Sequence, residues 1–374
     1  MESLGKDQLE EIPLFQKLPK LREIVPHVRL ITSQTPVFKL EKLGSELGVG
    51  GLYLKDDGLT GTLFGGNKVR KLEFLLADAL SKKAKRVLTF GAAGSNHALA
   101  TAVYAKSLGL ETTALLMPQT KTPSCHTNLL YHTVIGTDLH AVPREDFEAK
   151  KDELVKFYEE KEGVAPYVIP TGGSNEIGVM GYVNAAFELA SQIEAKVLPT
   201  PDYIYVAAST CGTASGLILG LKILKLKTAV RPIRVSETGL WTQNRYELFI
   251  REMDGFLKEK TGVSAVEEND SIPEIRDYLG KGYGAETAEL REAMNLAKET
   301  ENVNLEIVYT AKSMAALIED ARKGELKDKT VLYWKTNNSI DLGPYVQKGD
   351  AKKLPDALRK YIDQPSKEAE TGSQ

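Results

Sequence analysis

Gly65-Gly66-Asn67-Lys68 places two glycines and an asparagine ahead of a lysine that starts a helical pattern, with Lys71 following within the first turn. A lysine on a solvated surface has no need of glycines before it. Glycine is wanted where the backbone takes unusual angles or where another group comes close. A lysine held in such a loop is partly desolvated, and desolvation lowers an amine's pKa toward neutrality. A neutral amine attacks carbonyl groups, so the loop points to Schiff-base chemistry. The competing reading is a solvated lysine at a helix start, where a cation opposes the helix dipole. The spacing of Gly61 and Gly66 approaches that of a phosphate-binding P-loop. Asn67 intervenes before Lys68 and Val69 follows it, so the Gly-Lys-Ser/Thr ending is missing and a nucleotide P-loop is rejected.

Three further segments carry chemistry. Ser95-Asn96-His97, after Gly91-Ala92-Ala93-Gly94, sits between a strand pattern and a helix pattern. Main-chain N–H groups at a helix start bind carboxylates, and Ser95 and Asn96 add side-chain donors. Simple helix capping by Ser95 or Asn96 is the plainer alternative, and a lone histidine beside a cap is more often structural. Thr210-Cys211-Gly212-Thr213 follows an apolar strand and opens another helix. Small hydroxyl residues around glycine suit a phosphate monoester. Cys211 has no flanking cation to activate a thiolate and reads as a small filler. The last group is Gly282-Tyr283-Gly284, Val308-Tyr309-Thr310 and Lys335-Thr336-Asn337-Asn338. Its glycines allow Tyr283 to project, and Thr310 and Thr336 are expected just beyond β-type runs.

The elements that must position these segments alternate in type. Strand patterns at Val87-Leu88-Thr89-Phe90, residues 112–117, 139–142, 167–170, 203–207, 233–235 and 331–334 are separated by helical ones, including residues 128–134 and 144–161. This βαβ alternation predicts an α/β fold with parallel sheets and helices on both faces. The chain has 374 residues, enough for two domains, and its formal net charge of -3 carries no footprint for nucleic acid. No apolar run reaches a membrane span, and the polar N-terminus resembles no targeting peptide. Two cysteines, Cys125 and Cys211, are too few for a disulfide framework and fit a cytoplasmic protein. The five histidines show no metal-ligand spacing, so no metal is expected.

Taken in order, these segments resemble the D-cysteine desulfhydrase / 1-aminocyclopropane-1-carboxylate deaminase family over residues 36–342. This is a pyridoxal-phosphate-dependent family of fold type II, related to the tryptophan synthase β-chain. Thr35-Pro36-Val37, residues 54–61, Gly66-Asn67-Lys68 with Arg70-Lys71-Leu72, and Gly172-Gly173-Ser174-Asn175 with Gly181-Tyr182 carry the likeness. The resemblance implies that Lys68 carries pyridoxal 5'-phosphate (PLP). It implies that Thr210, Cys211, Gly212 and Thr213 hold the phosphate, and that Asn96 also approaches the cofactor's 3-hydroxyl. Ser95, Asn96 and His97 would bind the substrate carboxylate, and Ser95 could relay the α-proton. Tyr283 and Tyr309 match active-site tyrosines, and Thr310 and Thr336 match positions near the cofactor ring. Lys71 is left between a phosphate contact, a carboxylate contact and solvent.

The deaminases are expected to carry Glu and Leu where this chain has Thr310 and Thr336, so those positions resemble the desulfhydrases. A hydroxyl does not hold the ring nitrogen protonated as a carboxylate would. The implied reaction is β-elimination of a cysteine-type amino acid to pyruvate, ammonia and sulfide. Deamination of the cyclopropane amino acid, or another ammonia- or sulfo-lyase reaction, is the alternative. A non-catalytic ligand-binding member is the alternative from another class. A dinucleotide oxidoreductase is disfavoured by the missing Gly-x-Gly-x-x-Gly fingerprint. The chain departs from the family at Ala93-Gly94 and at Asn337-Asn338, where left-handed backbone angles would preserve the usual glycine turn. The expected architecture is a larger PLP-binding domain of residues 1–70 plus 181–362, a smaller domain of 71–180, and a disordered tail of 363–374. The cofactor is expected in the cleft between the domains of a homodimer.

Overall fold

The computed structural model describes residues 12–236 and 242–362; the tail expected to be disordered lies outside them. The chain divides into two compact units. Among the described residues, the larger unit holds residues 12–82 together with Gly173–Ile340, and the smaller holds Lys83–Gly172 together with residues 341–362.

In chain order the strands are β1 (Val37–Lys39), β2 (Gly51–Asp56), β3 (Arg86–Ala92), β4 (Glu111–Met117), β5 (Asp138–Ala141), β6 (Tyr167–Val168), β7 (Tyr203–Ala208), β8 (Ala229–Arg234), β9 (Arg276–Asp277) and β10 (Thr330–Lys335). Among the described residues the larger unit carries a six-stranded sheet in the order β1-β2-β10-β7-β8-β9. Its pairings are parallel except for the antiparallel edge pair of β1 and β2. The apolar runs of β7 and β10 bury both faces, as a parallel sheet between helical layers requires. Ile204, Val206, Leu332 and Trp334 face one core, shared with helices Glu176–Glu194, Gly212–Ile223 and Gln243–Thr261. Tyr205, Ala207, Val331 and Tyr333 face the other, shared with helices Ala288–Glu301 and Thr310–Arg322.

Helix Glu176–Glu194 is the scaffold for two of the chemical segments. A Cβ on Gly181 would lie 2.1 Å from the Arg70 carbonyl oxygen, so helix Lys68–Ser81 crosses it almost in backbone contact. A Cβ on Gly216 would lie 2.4 Å from the Tyr182 Cβ, which brings helix Gly212–Ile223 equally close. This packing moves the domain boundaries from those expected. Residues 71–82 and 173–180 stay with the larger unit because their helices pack on each other.

The smaller unit has a parallel four-stranded sheet in the order β5-β4-β3-β6. Residues 341–362 belong to it, not to the larger domain as expected. Leu354, Leu358 and Tyr361 are buried with Ala93, Ala98, Leu116 and Leu129, and Tyr345 stacks on Tyr131 with ring centroids 4.6 Å apart. No described helix is long and apolar enough to cross a membrane.

Candidate active site

The Lys68 loop is held from below by main-chain contacts that leave no room for side chains. A Cβ on Gly65 would sit 1.8 Å from the Gly58 carbonyl oxygen, and Gly66 has φ +100°. Gly66 N–H donates to the Asp57 carbonyl (2.7 Å), Asn67 N–H to the Thr336 carbonyl (3.0 Å), and Gly65 N–H to Asn338 Oδ1 (2.7 Å). Asn67 then uses both ends of its amide, donating to Thr213 Oγ1 (3.0 Å) and accepting from Lys68 Nζ (2.9 Å). Lys68 thus begins its helix half-buried, and burial brings its pKa down to about 8 although Glu306 pulls the other way.

A buried charged quartet lies behind this loop. Arg70 donates Nε to Asp57 Oδ1 (2.9 Å) and Nη1 to Glu188 Oε2 (2.8 Å), while Lys55 Nζ donates to Glu188 Oε1 (2.6 Å). The other Asp57 oxygen accepts from Trp334 Nε1 (2.7 Å) and Tyr182 Oη (2.5 Å). All four ionic side chains are buried. Burial alone would raise the Glu188 pKa, but Arg70 and Lys55 hold it well below the usual carboxylate range. Asp57 therefore ties its carboxylate to the core and its carbonyl to the lysine loop.

The Thr210–Thr213 turn converges on the second lysine. Cys211 takes a left-handed φ of 60° ahead of helix Gly212–Ile223. Lys71 is only 1% exposed, which removes the solvated alternative. Its Nζ donates to Ser174 Oγ (3.0 Å), and that hydroxyl contacts Thr210 Oγ1 (2.7 Å). A Cβ on Gly212 would lie 2.5 Å from Ser174 Oγ and 2.8 Å from Lys71 Nζ, so glycine keeps this cradle open. Burial and then the Lys68 charge hold the Lys71 pKa well below its ordinary value. A cation beside a helix N-terminus is unfavourable unless an anion joins them. An amine with lowered pKa next to an anion cradle fits a phosphorylated aldehyde. Burial pushes the Cys211 thiol up to about 12, and nearby Lys71 only partly offsets this.

The late cluster assembles in the same unit. Tyr283 Oη and Tyr309 Oη are 2.6 Å apart with the rings edge to face, and Gly282 and Gly284 flank Tyr283 with positive φ. Lys312, fully buried, anchors this loop by donating to the Leu279 (2.7 Å) and Gly282 (2.9 Å) carbonyls. Burial raises Tyr309 to about 12, so it keeps its proton. Thr310 begins a helix and does not end a strand, because Glu306 turns back and caps that helix start. The Thr310 hydroxyl accepts from Glu306 N–H (2.8 Å). Thr336 follows β10 as expected and is buried. Neither Asn337 nor Asn338 has a positive φ. Asn338 instead replaces the glycine turn by side-chain bonding, its Oδ1 also accepting from Ile340 N–H (2.9 Å).

Ser95, Asn96 and His97 lie in the smaller unit. Ser95 Oγ caps helix Asn96–Ser107 by accepting from Ala98 N–H (3.1 Å). The His97 ring is buried, its Nε2 3.2 Å from Thr89 Oγ1. Asn128 donates to Asn96 Oδ1 (2.9 Å) and so turns the Asn96 NH2 outward as a donor. Gly94 N–H donates to Gln119 Oε1 (2.8 Å), and a side chain at 94 would press on Ser124 and Cys125. Glu306, Lys312, Asp57 and Asn128 were missed in the sequence. The available signal was a charged or amide residue embedded in an apolar run, which must find a buried partner.

The family model described as pyridoxal-phosphate dependent enzyme matches residues 28–336. The chain belongs to the pyridoxal-phosphate dependent enzyme family. A Pyrococcus horikoshii protein named "Putative 1-aminocyclopropane-1-carboxylate deaminase" is 38% identical over 310 residues, covering 81% of this chain and 89% of the relative. A solved structure of an ACC deaminase homologue superposes with a TM-score of 0.76 at 36% identity, covering 90% of this chain and 98% of the other. Threonine deaminase isoform 2 from Solanum lycopersicum shares the fold at 17% identity, with a TM-score of 0.60 and coverage of 90% and 89%. These relatives place this pyridoxal-phosphate dependent enzyme in the fold type II class, with PLP as its cofactor.

Proposed function

We propose that this protein is a PLP-dependent lyase that eliminates the β-substituent of a cysteine-type amino acid as sulfide, the remainder taking up water to give pyruvate and ammonia. The observation that carries the reading is the pairing of Lys68, whose pKa is lowered to about 8, with the buried Lys71–Ser174–Gly212 cradle in one unit. Lys68 would carry the cofactor. Lys71, the hydroxyls of Ser174, Thr210 and Thr213, and the amides of Cys211, Gly212 and Thr213 would take its phosphate. When bound, the cofactor supplies the electron sink that loosens the bond between the substrate's Cα and its proton.

The chain's own groups do the rest. At pH 7.5 a lysine with pKa about 8 is roughly one quarter neutral, against about a thousandth for an ordinary lysine. Lys68 Nζ can therefore hold the proton taken from Cα. Tyr309 keeps its proton and its hydroxyl meets that of Tyr283, so this pair supplies a proton to the leaving sulfur. Ser95 Oγ, the Asn96 amide and the main chain of Asn96 and His97 would receive the carboxylate. Thr310 and Thr336 near the ring fit an elimination with a good leaving group, which asks less of the electron sink than opening a cyclopropane ring.

The relatives' names favour a second reading, deamination of 1-aminocyclopropane-1-carboxylate to 2-oxobutyrate and ammonia. Purified protein supplied with PLP should show a visible absorbance band that Lys68→Ala abolishes. D-cysteine or L-cysteine should then yield sulfide and pyruvate. Formation of 2-oxobutyrate alone from the cyclopropane amino acid would select the second reading, and a coloured protein inert to all three would favour a non-catalytic binding role. The homodimer implied by the resemblance belongs to the same proposal and is tested by light scattering.

A further inference from the structure

The turn that carries Ser95 and Asn96 is held through the main chain of Gly94. Its N–H donates to Gln119 Oε1 (2.8 Å), and its carbonyl accepts from Asn128 Nδ2 (2.9 Å). Asn128 also donates to Asn96 Oδ1 (2.9 Å), so one buried amide spans residues 94 and 96. A Cβ at position 94 would lie 2.9 Å from Ser124 Oγ and 3.0 Å from Cys125 N, which presses the turn against the start of helix Pro123–Ile135. Gln119 is itself anchored. Its Nε2 donates to the Thr120 carbonyl (3.0 Å) and to Thr122 Oγ1 (3.3 Å). Its main-chain N–H donates to Tyr361 Oη (2.9 Å), and that hydroxyl donates back to the Gln119 carbonyl (3.0 Å). The Tyr361 ring is buried with Ala93 and Ala98, the residues that bracket the turn.

We infer that Tyr361 and Gln119 are positioning residues for substrate binding. Segment 341–362 braces the Ser95–Asn96 turn along the path Tyr361 Oη, Gln119, Gly94 N–H, and so fixes the donors that receive the carboxylate of an α-amino acid. This rests on the reading of Ser95, Asn96 and His97 as the carboxylate site. Every link lies in the smaller unit and is a hydrogen bond of ordinary length. A buried N–H is costly to leave without an acceptor. Without Gln119 the Gly94 peptide would turn to find one, carrying Ser95 Oγ and the Asn96 amide with it.

The test uses the full chain loaded with PLP, as wild type, Tyr361→Phe, Gln119→Ala and the double variant. Binding of L-alanine and D-alanine, which have no β-leaving group, is read from the change in the visible band. Gln119→Ala removes the acceptor of Gly94 N–H and should raise the alanine Kd about 3- to 10-fold, the weight of one hydrogen bond, with PLP affinity unchanged. Tyr361→Phe keeps the ring and should shift the Kd in the same direction. Because the hydroxyl acts through Gln119, the double variant should bind alanine as Gln119→Ala does, and additive losses overturn the path. A merely structural contact would lower the melting temperature and leave the alanine Kd in place, which also overturns it. Should Gln119→Ala fail to fold, Tyr361→Phe decides, with hydrogen exchange of the residue 92–98 amides measured in cofactor-free protein. Faster exchange together with weaker alanine binding supports the brace, and either one unmoved overturns it. A wild-type band that ignores both alanines would fail the carboxylate-site reading and take this proposal with it. That outcome is distinct from alanine binding that is present and insensitive to positions 119 and 361.

Discussion

Replacing Arg70 by Met removes the central cation of the buried quartet while keeping an unbranched stem. Arg70 is 1% exposed and donates to Asp57, Glu188 and Thr35. Its loss leaves two carboxylates facing Lys55 alone, an uncompensated negative charge in the core. Breaking a buried pair by removing one partner costs about 3–5 kcal/mol, and the larger unit should lose that much at pH 7. The pH dependence carries the sharper information. The folded pKa of Glu188 is depressed, so its pairing stabilises the protein above the unfolded value near 4.5 and is lost as pH falls through the folded value. In Arg70→Met the folded pKa rises, because burial is then opposed by Lys55 and the Thr35 donors without the guanidinium charge. Protonating one carboxylate then relieves the defect, and the penalty should shrink as pH falls from 7 toward 4.5. Trp334 donates its indole N–H to Asp57 and reports on the cluster directly. The assay is urea unfolding followed by Trp334 fluorescence in a Trp241→Phe background, repeated across that pH range. A penalty under about 1 kcal/mol, or one independent of pH, would refute the account of a charge-balanced quartet. Arg70→Lys should fall between, since a point charge cannot reproduce the two-sided guanidinium contacts.

Lys71→Met should weaken PLP binding about 10- to 100-fold, the equivalent of one charged hydrogen bond, as read by cofactor titration of the full chain. A smaller effect on turnover of the saturated protein than on binding would agree with a phosphate role. The rate at which cofactor-free protein captures PLP should rise with pH, with a midpoint near 8 set by neutral Lys68; a midpoint near 10 would contradict the burial effect. Ser95→Ala removes the cap on Ala98 N–H and should destabilise the smaller unit by about 1 kcal/mol in thermal unfolding. If Ser95 also receives the carboxylate, KM should rise in the same variant, and an unchanged KM would confine Ser95 to capping.

The alternation of apolar runs such as Tyr203–Ala208 with small-residue turns was legible in sequence, because a parallel strand buried on both faces must be continuously apolar. The tight packing of the Lys68 loop and the Thr210–Thr213 turn was legible for a local reason: glycine marks places where another group comes close to the backbone. Thr310 was misplaced at a strand end because its preceding residues are β-prone. The helix start is fixed by the Glu306 carboxylate folding back over three amides, a contact that residue propensity does not encode.

The sequence by itself determined the fold class, the family, the cofactor and the lysine proposed to carry it, since each depends on residue types within a few positions of one another. Tertiary structure alone decided the rest. It buried Lys71 beside Gly212 and Ser174, although those residues are far apart in the chain. It joined Arg70 to Asp57 and Glu188, and moved residues 341–362 into the smaller unit. It also set Asn338 against Gly65, replacing a backbone turn by a side-chain bond. These are long-range pairings of polar groups, and a buried polar group takes whichever partner the packing of distant helices and strands brings within reach.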